Sequence, residues 1–83
     1  MPDRPTRLLT EHGVHVRAVR WREVEAGDRV YLLARHDGHA YAVGPFTVVS
    51  RRDRRLRRET RGGVHRDFIH APEELYVPLG AGR

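Results

Sequence analysis

Between residues 51 and 61 the chain reads RRDRRLRRETR. Seven arginines, Arg51, Arg52, Arg54, Arg55, Arg57, Arg58 and Arg61, stand there against Asp53 and Glu59, a net charge of +5. The whole chain also carries +5, so the remaining residues balance to zero. A guanidinium grips phosphate or carboxylate through two parallel hydrogen bonds and stacks on planar groups. A charge excess confined to one short segment makes a local positive field that steers anionic partners. Runs of like charge also occur as solvated loops. The confinement of the whole excess to this segment favours a binding surface.

Every basic side chain apart from histidine is arginine; there is no lysine. A GC-rich coding sequence accounts for that bias, and the binding chemistry of arginine follows either way. Trp21 lies between Arg20 and Arg22. Exposed, its indole would extend the cationic surface by stacking on a base. Buried, it would cap one end of the core, which is the preferred reading. Arg17 is a further candidate for the same surface. Six histidines add positive charge below roughly pH 6.5, so anion binding is expected to strengthen on acidification.

Other chemistry is poorly supported. His36 and His39 flank a turn, and His65 and His70 follow later, with no cysteine or carboxylate spacing that suits a metal site. Ser50, the one serine, lacks a nucleophile elbow or a glycine-rich phosphate loop. Asp28 and Asp37 suit turn positions better than acid–base pairing, and Asp67 has no evident partner. The expectation is a protein that is not an enzyme and needs no cofactor and no metal.

The elements that would position these residues read as short strands. Val14, Val16 and Ala18 alternate with His15 and Arg17, and the alternation slips at Val19 and Trp21, which suggests a bulge or bend near Ala18. Glu25 to Asp28 reads as a turn. Residues 29–35 are apolar on both parities, as in a central strand buried on both sides. Asp37-Gly38 is the signature of a two-residue type I′ hairpin. Gly44-Pro45 interrupts the long run from Ala40 to Ser50, which implies a bulge or an edge position. Residues 7–10 suit a short strand or a helical turn, Leu56 to Thr60 and Val64 to His70 suit strands, Ala71 to Glu74 suits a break or one helical turn, and Leu75 to Leu79 suits a last strand.

The expected fold is all-β: a small antiparallel barrel or rolled sheet of five or six strands with at most one short helical turn. One domain over residues 7–79 is expected, with flexible residues 1–6 and 80–83. With no cysteine, no apolar span and no apolar leader in residues 1–13, a soluble cytoplasmic protein is expected, with no membrane partner.

The run Val24-Glu25-Ala26-Gly27-Asp28-Arg29-Val30-Tyr31, followed by a hairpin and Gly44-Pro45-Phe46-Thr47-Val48-Val49, resembles two groups. One is the SH3-like small barrels of the translation and transcription machinery. The other is the PUA-like and ASCH-type barrels. The resemblance covers residues 21–50 and implies RNA or nucleotide binding on a basic side of the barrel. The arginine-rich hairpin departs from both groups, and no aromatic pair is placed for base stacking. Two functions are therefore expected: a nucleic-acid-binding module gripping phosphates of RNA or DNA, or a protein-interaction module docking on an acidic surface of a larger complex.

Overall fold

The computed structural model describes residues 5–58 and 68–80. Seven strands run in chain order: β1 (Arg7–Leu9), β2 (His15–Arg20), β3 (Arg29–His36), β4 (His39–Ser50), β5 (Arg55–Arg58), β6 (Phe68–His70) and β7 (Glu74–Pro78). They form a single antiparallel sheet in the order β1-β2-β7-β3-β4-β5-β6 that does not close into a barrel. It is a rolled sheet, with seven strands among the described residues where the sequence predicts five or six. The added strand is β1, three residues in a segment that the sequence left open between a strand and a helical turn.

The helical turn is at Trp21–Glu23, where the Arg20 amide donates to Glu23 Oε2 at 2.8 Å. Ala71 to Glu73 is the break that the sequence offered there, not the helical turn that it offered as the alternative. Its backbone is bound elsewhere: the Ala71 amide donates to the Arg54 carbonyl at 2.7 Å, and the Glu73 carbonyl accepts from the Trp21 amide at 2.8 Å. The sheet also takes in residues before Arg7. The Pro5 carbonyl accepts from the Tyr76 hydroxyl at 2.7 Å, and the Thr6 carbonyl from the Ala18 amide at 2.8 Å.

Apolar side chains pack on both faces of the sheet. One face carries the larger core: Val19, Trp21, Val24, Val30, Phe46, Val48, Leu56, Ala71 and Leu75. The opposite face carries a smaller one: Leu8, Val16, Ala42 and Tyr76, with Tyr31 and Leu33 against it. This accounts for the slipped alternation in β2. Val16 serves the small core and Val19 the large one. Register against β7 runs without a shift from Val16↔Pro78 to Arg20↔Glu74, so the expected bulge near Ala18 is absent. β3 is central and two-sided as its composition predicts, with Val30 and Leu32 on one face and Tyr31 and Leu33 on the other.

The turns follow their residues. Asp37 and Gly38 have φ of 48° and 79°, the two positive values that a type I′ hairpin requires. The turn before β3 is closed by the Glu25 amide on Asp28 Oδ2 at 2.9 Å and held to β4 by the Gly27 amide on the Val48 carbonyl at 2.8 Å.

Gly44-Pro45, joined by a cis peptide, forms a bulge between Leu32↔Val43 and Val30↔Phe46. The extra residue moves the apolar set of β4 from the small core (Ala42) to the large one (Phe46, Val48). β4 lies inside the sheet, so the alternative of an edge at Pro45 does not hold. A Cβ at Gly44 would lie 2.9 Å from Tyr31 Cδ2 and 3.0 Å from the Val30 carbonyl oxygen, at a φ of 148°. Gly44→Ala is therefore expected to destabilise the fold by about 2–3 kcal/mol, read as a lowered urea midpoint. An unchanged midpoint would show that the bulge tolerates a side chain.

Candidate nucleic-acid interface

The arginine segment begins as a four-residue turn, 51–54, between β4 and β5. Arg54 closes it in the left-handed region with φ of 52°, and the Asp53 amide donates to Ser50 Oγ at 3.2 Å. The Ser50 hydroxyl in turn donates to Asp53 Oδ2 at 3.2 Å.

This turn is fastened to the rest of the fold. The Trp21 indole N–H donates to the Arg51 carbonyl at 3.0 Å, and the Arg51 guanidinium donates to the Arg22 carbonyl. Arg54 Nη2 donates to Glu73 Oε2 at 2.6 Å. Arg54 is thus paired with a carboxylate, while the acceptor of Arg51 is a neutral carbonyl. The indole of Trp21 is buried, at 6% exposure. It braces the turn from within and is not available to stack on a base.

β5 sorts the next four residues by face. Leu56 is fully buried in the large core, and its cross-strand partners are Val48 and Ile69. Alternation then sends Arg55 and Arg57 to the opposite face, where both are exposed. Register extends this into two cross-strand rows. Arg29, Thr47 and Arg57 form one across β3, β4 and β5. Ser50, Arg55 and His70 form the other across β4, β5 and β6. Arg55 and Arg57 are two residues apart along one strand, about 7 Å, comparable with the spacing of neighbouring phosphates on a nucleic-acid strand. Arg58 faces the other way. Its partner is Phe46, and its guanidinium carbon lies 5.8 Å from the centre of the Phe46 ring.

The arginines of the segment therefore have different placements. Arg55 and Arg57 share an outward face, and Arg52 is exposed at the turn. Arg51 and Arg54 help to hold the turn, and Arg58 lies over an aromatic ring. Arg61 lies outside the described residues, as do Glu59, His65 and Asp67. Arg20 is opposite Glu74 across β2 and β7. Arg22 is exposed next to the turn, where its carbonyl receives Arg51. Arg17 has the opposite strand parity from Arg20 and points away from it. Arg29 and His70 join the outward face through cross-strand register, which has no signature in the local sequence.

Comparison with family models, with curated proteins and with solved structures finds no match to this chain. Its chemistry has to be read from its own residues. Residues 51–58 hold six arginines and one aspartate, a net charge of +5, and Glu73 lowers the local value to +4. Among the described residues no cluster of three potential metal ligands occurs, and no helix is long and apolar enough to cross a membrane. His36 and His39 are direct cross-strand partners at the tip of the β3–β4 hairpin, with His36 Nε2 3.3 Å from Asp37 Oδ2.

The brace under the turn can be tested by itself. Trp21→Phe keeps most of the apolar contact and removes the indole N–H. It is expected to cost about 1 kcal/mol of stability, measured by urea denaturation, and to speed hydrogen exchange in residues 51–54. Exchange unchanged at those amides would separate the turn from its brace.

Proposed function

We propose that the chain is a small, non-catalytic nucleic-acid-binding module that grips phosphates with the outer face of β4, β5 and β6. One observation carries this reading. The buried Leu56 turns Arg55 and Arg57 outward together, at phosphate-like spacing, beside Arg52 in a braced turn. The charge is thus offered by a held surface, so less conformational entropy is lost on binding than a free loop would lose.

Contacts of this kind fix position on the backbone and carry no base information. The burial of Trp21, the aromatic nearest the turn by bonding, fits a mode without base stacking. Affinity comes from counterion release and falls steeply with salt.

Fluorescence-polarisation titration with single-stranded and duplex oligonucleotides between about 50 and 200 mM salt tests this reading. Engagement of about four phosphates gives a log–log slope of about −3 to −4. Arg55→Ala with Arg57→Ala lowers affinity about tenfold and reduces the slope by about 2, whereas Arg58→Ala changes affinity less than about twofold. A slope near zero, or a double variant that binds like the parent, would remove the face from the mechanism.

A further inference from the structure

A second cationic position lies away from the arginine segment. Arg7 in β1 and Arg17 in β2 are direct cross-strand partners. The Ala18 amide donates to the Thr6 carbonyl at 2.8 Å, so Thr6/Ala18 is a hydrogen-bonded pair. Antiparallel alternation makes the next pair, Arg7/Arg17, a non-hydrogen-bonded one. In such pairs the Cα atoms are closest, about 4.5 Å apart, and the side chains closest too. Like charges in direct opposition destabilise a sheet.

Among the described residues, none on this face relieves them. The strand residues sharing it on β1, β2 and β7 are Leu9, His15, Val19, Leu75 and Val77, none of them acidic. Neither guanidinium bonds to another side chain among the described residues. The adjoining row is apolar at both ends. Leu9 is opposite His15, and the Leu79 amide donates to the His15 carbonyl at 3.0 Å. Leu9 is 47% exposed and Leu79 39% exposed.

We infer that the Arg7–Arg17 pair with Leu9 and Leu79 is a docking surface for an acidic peptide segment of a partner protein that also carries apolar side chains. The charge complement of two directly opposed guanidinium groups, neither bonded to a side chain among the described residues, is a carboxylate, which each can bind through two parallel bonds. The apolar flank separates this surface from the outer face of β5. Protein interfaces combine an apolar centre with arginine, whereas nucleic-acid interfaces are more polar and more uniformly positive. The two surfaces lie on opposite faces of the sheet, so this inference stands whether or not the β5 face binds nucleic acid.

The probe is a terminally blocked peptide of alternating glutamate and leucine, titrated into the isotopically labelled full chain at low salt and followed by backbone amide NMR. The resonances of Arg7, Leu9, His15, Arg17 and Leu79 are expected to move, and Arg17→Gln to raise Kd about threefold to fivefold. Arg7→Glu supplies an independent readout. It places an opposite charge across from Arg17, so Tm is expected to rise while peptide binding is lost. Three results would overturn the inference: peptide shifts confined to β5 and β6, movement of the β1 and β2 resonances by a single-stranded oligonucleotide or by concentrating the protein alone but not by the peptide, or undiminished peptide binding by Arg7→Glu.

Discussion

The direction of the arginines in β5 depends on the burial of Leu56. It is the apolar residue within RRLRR, and full burial of such a side chain contributes about 1.5–3 kcal/mol. Because side chains alternate along a strand, a slip of one residue would expose Leu56 and turn Arg55 and Arg57 into the large core. Burial of two guanidinium groups without partners costs far more than the leucine gains. The register is therefore strongly specified, and the cationic face follows from hydrophobic packing on the other side of the same strand. The turn at 51–54 is bound to Trp21 and Glu73 as well, so the segment is held at its turn as well as through Leu56.

A sheet with apolar side chains on both faces solves a size problem. A chain of 83 residues buries a modest fraction of its surface. By using both faces of β3 and β7, the fold obtains two cores from one layer of strands. The bulge at Gly44-Pro45 makes this possible in β4, whose first half serves one core and second half the other. Outside the two cores, each face ends in a cationic region. On the small-core face it is the arginine rows of β3 to β5, and on the large-core face it is the Arg7–Arg17 pair.

Local chemistry was legible in the sequence where one residue type dictates the geometry. Asp37-Gly38 reads as a hairpin because the turn needs two positive φ values, and β3 reads as central because both parities are apolar. Which guanidinium groups of the segment face outward was not legible, because it follows from the burial of Leu56 in β5 and from the strand's register. Long-range pairing was not legible. The insertion of β7 between β2 and β3, and the bond from Trp21 to a carbonyl 30 residues away, depend on tertiary packing that local patterns do not encode. The slip at Val19 was misread for the same reason. A strand that serves two cores and a bulged strand give the same break in alternation, and only the partner strand separates them. Arg29 was missed because it joins Arg57 through Thr47, one strand away from each.

The claim that a buried leucine aims the arginines at an anionic chain has a direct readout in the guanidinium groups themselves. Side-chain Nε–H resonances can be followed by NMR as a single-stranded oligonucleotide is added. Movement of the Arg52, Arg55 and Arg57 signals, with those of Arg54 and Arg58 left nearly in place, is the predicted result. Equal movement of all five, or movement led by Arg54 and Arg58, would contradict the account.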